Sequence, residues 1–255
     1  KKPLAFPEPL VTPGVTFSIT TTSPQSGSFT YTGAGQAYWN AARNRITLVG
    51  AGTSLVVNAP GGVLTNFDIL STDNATLDSL IVNAELRGAS NVFVDSGIGS
   101  ATFNRRVETT GFIGSGGNIG TLVFNQGLID GDVEGRVVNS IEVTGDFGKT
   151  GSVTDASVRV RDLTTLRVTG GTFAGSVSST QDIDLVQLGA VNEGGIRAGR
   201  EITSFTSNAF TKSRLSAGNK LGTVTVNGDA FDSAFYAGGD LGEDANFGGT
   251  GFDRD

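Results

Sequence analysis

The sequence predicts an all-β chain wound into a solenoid, a fold in which short strands return at a fixed interval along the chain. Three observations predict it: apolar residues recur about every 20 residues, they alternate with polar residues inside each repeat, and glycine is abundant. Glycine accounts for 38 of the 255 residues and proline for only 6. Because glycine reaches positive φ without steric cost, this composition is typical of a chain with many tight turns.

The first segment, residues 1–13, contains four of the six prolines and is predicted to be an extended arm. Proline fixes φ and lacks a backbone N–H group, which argues against a helix here. The segment is either a disordered terminus or an arm that docks its apolar side chains on another surface, such as a neighbouring subunit. Its basic and apolar residues are Lys1, Lys2, Leu4, Phe6, Leu10 and Val11.

Residues 14–63 are predicted to form β-hairpins that cap the solenoid. Val15, Phe17 and Ile19 alternate with polar residues, and Phe29 and Tyr31 repeat the pattern after a turn-forming stretch. Alternation with a period of two is the pattern of a half-buried strand. The aromatic residues at positions 38 and 39 lie within this region, and we expect them to pack rather than to form a platform for a sugar.

The repeats occupy residues 64–247, and each begins with an apolar residue that we call the lead. The leads are 19 to 25 residues apart. Apart from Ser207, apolar residues also follow the first eight leads by three and five positions, as expected for strand residues that face one side. The leads are Leu77, Ile98, Ile119, Val138, Leu163, Ile183, Ile202, Leu221 and Leu241.

Two further apolar positions recur in each repeat. The first precedes the next lead by five or six residues, at Val92, Ile113, Val133, Val158, Val177, Ile196, Leu215 and Phe235. The second lies in the middle of the repeat, at Leu86, Val107, Ile129, Phe147, Phe173, Val191, Phe210 and Phe231. A unit of this size cannot bury three apolar faces alone, whereas stacked units build one continuous core.

This pattern resembles the parallel β-helices, or β-solenoids, of bacterial cell surfaces and secreted fibres. The resemblance implies about 8–9 coils of about 20 residues each. We expect right-handed coiling, which is the usual handedness of parallel connections. The resemblance concerns architecture and does not imply a particular activity.

Composition excludes several classes of function. The net charge is −7 and no basic run is present, so nucleic-acid binding is not expected. The chain has no cysteine and no histidine, which removes disulfides, thiolate metal sites and histidine-based catalysis. No apolar run is long enough for a transmembrane segment. The absence of methionine, even at position 1, predicts a processed product or a fragment, and removal of a secretory signal is the simplest account. The chain is therefore expected to be secreted and to lie outside the cell or at its surface.

Acidic residues directly precede several leads, and a stack of carboxylates is a candidate calcium site. Calcium requires several oxygen ligands, but Asn118 and Lys220 interrupt the same column. The expectation is therefore a chain without a cofactor. The acidic residues are Asp162, Asp182, Glu201 and Asp240.

Parallel β-helices also include polysaccharide lyases and hydrolases, which use carboxylates or basic residues on one face. Asp130 with Asp132, or Arg105 with Arg106, are the candidates here, yet their spacing does not distinguish them from other surface residues. The chain is therefore predicted not to be an enzyme.

The coil that begins at Val138 is longer than the others, and its additional residues fall in the segment from Thr144 to Ala156. Insertions in solenoids become loops on one face, and such a loop is either a neutral bulge or a binding element. The sequence also contains one glycosylation sequon at Asn74.

The two termini carry opposite charges. Residues 240–255 contain five acidic residues and one basic residue, and residues 248–255 form an acidic tail. The sequence therefore predicts an extracellular structural protein whose copies assemble head to tail into a filament or surface coat, through the N-terminal arm and the open ends of the solenoid. A surface adhesin or glycan-binding β-helix is the alternative, and a lyase or hydrolase is third. The C-terminal assembly residues are Leu241, Phe247, Phe252 and Asp253.

Overall fold

The structure, a computed structural model, describes residues 10–14, 16–20, 26–149, 151 and 156–238. Its elements are 21 β-strands and one short 3₁₀ helix, Ala41–Arg43. The strands are β1 Leu10–Val11, β2 Thr16–Thr20, β3 Ser26–Gly33, β4 Gln36–Asn40, β5 Arg45–Thr65, β6 Asp68–Gly88, β7 Asn91–Val94, β8 Gly97–Phe103, β9 Val107–Ser115, β10 Asn118–Phe124, β11 Leu128–Thr144, β12 Ser157–Phe173, β13 Ser176–Ser179, β14 Ile183–Asn192, β15 Gly195–Ala198, β16 Glu201–Ser207, β17 Ala209–Thr211, β18 Arg214–Ala217, β19 Lys220–Val226, β20 Ala230–Phe231 and β21 Ala234–Ala237.

The predicted parallel β-solenoid is confirmed: the chain winds through about nine turns of about 21 residues. Each turn contributes segments to three parallel ladders. The second ladder contains the apolar residues from the middle of each repeat, and the third contains the apolar residues that precede the next lead by five or six positions. The first ladder contains the leads, and every described lead pairs with the lead of the next coil, from Leu77 with Ile98 to Ile202 with Leu221. The apolar residues of these strands therefore stack in columns at the centre of the molecule.

The third ladder also follows the predicted column without a break, from Val92 and Ile113 to Leu215 and Phe235. The second ladder departs from the prediction at two residues. Leu128, not Ile129, pairs with Val107, because the ladder shifts its register directly afterwards.

The second departure concerns Phe231, the expected member of the second ladder in the last described coil. Ala230 takes that register position opposite Phe210, whereas Phe231 pairs with Thr211. As a result Phe231 is 66% exposed, although the sequence placed it in the core.

The parallel pairing begins earlier in the chain than expected. Strand β5 pairs in parallel with β6 from Arg45 onwards, so the first coil starts before the expected boundary at residue 64. The sequence suggested only hairpins in this region because β5 also has antiparallel partners. Its other edge pairs antiparallel with β3 and β4, and β2 pairs antiparallel with β3, as the predicted cap requires.

The core is a continuous stack of fully buried side chains. Phe103 and Phe124 stack with ring centroids 5.0 Å apart, and Phe147 and Phe173 stack at 4.8 Å. Offset aromatic pairs of this kind contribute beyond the area that they bury. Ser207 is a polar residue in an otherwise apolar column of the core. Its hydroxyl is buried without a hydrogen-bond partner.

A row of asparagines lines one corner of the first four coils, at the end of the first-ladder segments. Each side-chain amide donates to the amide oxygen of the asparagine in the preceding coil, over distances of 2.6 to 2.7 Å. Stacked amides satisfy one another where the backbone turns. The row consists of Asn58, Asn83, Asn104 and Asn125.

Candidate functional site

The last described coil exposes the apolar interior of the solenoid. Val224 is 37% exposed and Phe235 is 38% exposed, whereas their neighbours in the preceding coil, Phe205 and Leu215, are fully buried. In the part of the chain that the structure describes, β19, β20 and β21 pair only with the coil before them. We call this surface, formed by β19–β21, the open end.

The opposite end of the solenoid is closed by the cap. Strands β3 and β4 lie across the first coil, and their inward residues Phe29, Tyr31 and Trp39 are at most 4% exposed. The ring of Trp39 lies 6.1 Å from those of Phe29 and Phe67. The expectation that residue 39 packs in the core is therefore confirmed, and the two ends of the molecule differ in chemical character.

Only part of the predicted assembly arm lies within the described residues. Leu10 is 53% exposed, and β1 pairs antiparallel with β4 of its own chain through Leu10–Tyr38 and Val11–Ala37. The arm is therefore anchored to the cap at this point. The other predicted assembly residues lie outside the described residues: Lys1, Lys2, Leu4, Phe6, Leu241, Phe247, Phe252 and Asp253.

The long coil has a cleft beside its insertion. This cleft has a volume of about 350 Å³ and is lined by Arg106, Asp146 and Lys149, together with Ile129 and Thr172. An Asp146 carboxylate oxygen accepts a hydrogen bond of 2.8 Å from the backbone N–H of Thr172. Charged groups of both signs thus converge on one concave surface, which is a common feature of ligand sites.

Arg106 belongs to an earlier coil than Asp146 and Lys149, the other charged residues of the cleft. Its guanidinium lies 3.0 Å from Glu108, and its Nε atom is buried without a hydrogen-bond partner. The insertion itself is tied to a later coil, since the backbone N–H of Gly151 donates to the Glu193 carboxylate at 3.0 Å. Residues distant in sequence therefore meet here, which the repeat pattern alone did not indicate.

The acidic column considered for calcium is neutralised by basic side chains. Each of its three described carboxylates forms an ion pair, which reduces the negative charge that would attract a cation. Within the described ranges, no cluster of three or more acidic residues has the arrangement of a metal site. The pairs are Arg161–Asp162 at 2.7 Å, Arg200–Asp182 at 3.6 Å and Lys220–Glu201 at 2.9 Å, whereas Asp240 lies outside the described residues.

Asp184 lies two residues after Asp182, a member of this acidic column. Partial burial, together with repulsion from neighbouring carboxylates, chiefly Asp182 and Asp162, raises the pKa of the Asp184 carboxyl above its ordinary value. The charged form of this group is therefore disfavoured, and its destabilising contribution grows as the pH rises through that raised pKa.

The carboxylates nominated for catalysis do not form a pair across a cleft. Asp130 pairs in the second ladder opposite Glu108, whereas Asp132 belongs to the third ladder, so a corner separates them. Asp132 accepts a hydrogen bond from Ser157 and lies 3.6 Å from Arg159. Its interactions are those of a surface ion pair. Of the two nominated arginines, Arg106 lines the cleft and Arg105 is exposed.

The sequon lies at an exposed corner of the solenoid. Asn74 has a φ of 57°, and its backbone N–H donates to the Asp95 carboxylate at 2.9 Å. The residue is accessible, so glycosylation at this position stays a prediction.

Comparison with family models, with curated proteins and with solved structures finds no match for this chain. The class of the protein, a parallel β-solenoid, is therefore defined by its strand pairing. Across the described part of the chain, no helix has the length and apolar character needed to span a membrane.

Proposed function

We propose that this chain is a non-enzymatic, extracellular structural protein whose copies associate head to tail into a filament or surface coat. The observation that carries the proposal is the open end, where Val224 and Phe235 expose side chains whose equivalents elsewhere in the stack are buried. Exposed apolar surface joined to unpaired strand edges is a common basis of association between chains.

The shape of the molecule supports the head-to-tail arrangement. One end is open and the other is capped, so a contact between two identical open ends would terminate growth after two copies. A contact between unlike ends leaves a free site of each kind and can propagate. The low content of charged residues, 17%, is consistent with a surface composed largely of small polar side chains.

Replacing Phe235 by aspartate tests the proposal. We expect the dissociation constant for self-association to rise by roughly a hundredfold, because the variant places a carboxylate in the apolar contact. Sedimentation velocity over a range of concentrations measures the change, and negative-stain electron microscopy shows whether rods longer than one molecule form.

Phe112→Asp is the matched control, because Phe112 is a partly buried residue of the lateral wall that packs against Phe93. This variant is expected to associate like the unmodified protein, and circular dichroism establishes that both variants fold. If the unmodified protein stays monomeric at all concentrations, or if both variants associate equally well, the open end is not an assembly surface.

Glycan binding is the second candidate function, and the cleft beside the insertion favours it. Arg106 and Lys149 present two cationic groups there, which suits a carbohydrate carrying carboxylate or sulfate groups. A glycan array should show binding to such polymers that is lost in Lys149→Ala. Binding that survives this substitution would place any glycan site elsewhere.

A further inference from the structure

The corner that holds the asparagine row continues into the later coils without the row. After Asn125, the next three positions of the same column carry other residues, and asparagine returns at Asn208. Those three positions are Thr144, Thr169 and Gly189. Asn208 therefore follows a glycine, which has no side-chain oxygen to accept from its amide.

The side chain of Asn208 differs in its bonding from the asparagines of the row. In the first four coils each amide donates to the amide oxygen of the coil before it, over 2.6 to 2.7 Å. The backbone N–H of Asn208 donates to the carbonyl of Gly189 at 2.9 Å. Among the described residues its side-chain amide has no hydrogen-bond partner, and it is exposed. The amide is thus available to a ligand.

A groove lies where the row is interrupted, and a difference in corner length produces it. Strand β12 takes four steps from Val168 to Thr172, whereas β14 takes two steps between the partners of these residues. The two additional residues are glycines, at positions 170 and 171. A longer corner beside a shorter one leaves a depression of about 280 Å³.

The groove combines a small apolar surface with a neutral polar rim. Val168 and Leu188, both almost fully buried, supply the apolar part of its lining. Amides, hydroxyls and one guanidinium supply the polar part, and none of the described lining residues is acidic. The polar side chains are those of Arg167, Thr169, Gln187, Thr206 and Asn208.

The polar groups of the rim are arranged to donate and to accept. The Arg167 Nε donates to the Gln187 Oε1 at 3.0 Å, which places a guanidinium beside an amide at the outer wall. Within the described ranges, the hydroxyl of Thr206 forms no hydrogen bond. Amides and hydroxyls each have donor and acceptor capacity. A ligand with groups of the same dual character would satisfy them.

Sugar hydroxyls have this character, and other ligand classes fit less well. A peptide that adds a strand needs an unpaired strand edge, but β12 and β14 are paired on both sides at this groove. An acidic polymer needs several cationic groups, and the groove has only Arg167. The volume is at the lower limit of about 300–1,000 Å³ for small-molecule sites, which suits a single sugar ring.

We propose that this groove binds one ring of a neutral saccharide, whose hydroxyls take the place of the side chain that Gly189 lacks. The Asn208 amide and the Arg167–Gln187 pair hydrogen-bond the hydroxyls, and the apolar face of the ring lies against Leu188. This binding activity goes beyond the structural role proposed above. It is also separate from the charged cleft, since the two share no lining residue.

Calorimetric titration of the full chain with neutral oligosaccharides of different linkage tests the proposal. The probes are maltohexaose, cellohexaose and laminarihexaose, with an oligogalacturonate as the acidic comparison. We expect at least one neutral probe to bind. Asn208→Ala should raise its dissociation constant by roughly three- to tenfold, the usual effect of losing one hydrogen bond.

Asn104→Ala is the matched control, because Asn104 occupies the same column but lies in the asparagine row. Its amide donates to Asn83 at 2.6 Å and its oxygen accepts from Asn125 at 2.7 Å. This variant should bind the saccharide normally and unfold at a lower temperature, whereas Asn208→Ala should show the reverse. Equal loss of affinity in the two variants would overturn the assignment of the site.

Gly189→Asn is a second test, because it extends the row into the groove. The new amide oxygen would accept from Asn208 and its side chain would occupy the site, so binding should be lost. The backbone of Gly189 is not in the left-handed region, although a Cβ atom there would lie 3.2 Å from the carbonyl oxygen of Gly171. Circular dichroism therefore establishes that the variant folds.

Three results would overturn the proposal. These are binding of the acidic probe alone, binding of none of the probes, and neutral binding that persists unchanged in both Asn208→Ala and Gly189→Asn. A failure of the chain to self-associate would refute the proposed structural function and leave the saccharide site standing, because no residue of the groove belongs to the open end.

Discussion

Phe124→Ala is expected to lower the free energy of unfolding by about 3–5 kcal/mol, the usual cost of removing a buried phenylalanine ring. Phe124 is fully buried, its ring stacks on that of Phe103, and Val143 occupies the same position in the next coil. The neighbouring coils are held by their own strand pairing and cannot collapse into the space. Equilibrium unfolding in denaturant, followed by the fluorescence of the single tryptophan and by circular dichroism, measures the loss.

Phe93→Ala is the matched control for this substitution. Phe93 also contacts another phenylalanine, Phe112, with ring centroids 5.7 Å apart, but it lies on the outer wall and is only partly buried. Its removal leaves no closed cavity, so we expect a loss of about 1 kcal/mol or less. Equal losses for the two variants would mean that the interior stack contributes no more than the surface pair.

Gly199→Ala is expected to destabilise the protein by about 1–3 kcal/mol, because the new methyl group would overlap backbone atoms of the preceding coil. A Cβ atom at this position would lie well inside van der Waals contact with the carbonyl oxygen of Thr180. A backbone oxygen cannot rotate away, so the coils would have to separate. The movement would strain the 2.9 Å hydrogen bond from the Gly199 N–H to the carbonyl of Ser179.

The same coil provides a control for this prediction four residues earlier. At Gly195 an added Cβ atom meets no other atom within 4 Å, and the backbone there is not in the left-handed region. Gly195→Ala is therefore expected to be neutral or to stabilise the protein by about 0.4–1 kcal/mol, since alanine reduces the freedom of the unfolded chain. Thermal unfolding of both variants checks the pair, and destabilisation of similar size in both would contradict the steric explanation.

The regular part of the fold was predictable because the solenoid repeats its environment in every coil. The same inward position receives an apolar residue each time, so the columns headed by Leu77 and Val92 are visible in the spacing of the apolar residues alone. The prediction failed where a local shift breaks the repeat, as at Ile129, which sits beside a change of register. An offset of one residue moves a strand residue to the opposite face, and this effect also accounts for Phe231.

The start of the first coil was harder to predict because one strand serves two kinds of pairing. Strand β5 is antiparallel to the cap on one edge and parallel to β6 on the other, and an alternating sequence does not distinguish these arrangements. The asparagine row, by contrast, carried a readable signal. Asn83, Asn104 and Asn125 recur every 21 residues, and the exchange of amide hydrogen bonds between adjacent coils could have been predicted from that spacing.

The candidate sites were less predictable than the fold because they depend on contacts between distant coils. Arg106 and Lys149 line the same cleft from different coils, and nothing in their spacing indicates the cleft. The ion pairs that neutralise the acidic column follow from side-chain placement in adjacent coils, which the repeat determines only approximately.

Because its two ends differ, the molecule is also expected to unfold from one end first. A solenoid coil contacts only its nearest neighbours, so each coil depends on the one beside it for stability. Opening should cost least at β19–β21, which have support on one side in the described structure, and should cost progressively more toward the cap. Fraying from this end would expose backbone amides to hydrogen exchange in a graded order along the chain. A copy added there would suppress the fraying, so that each molecule in a filament would stabilise the one it joins and stability would depend on protein concentration.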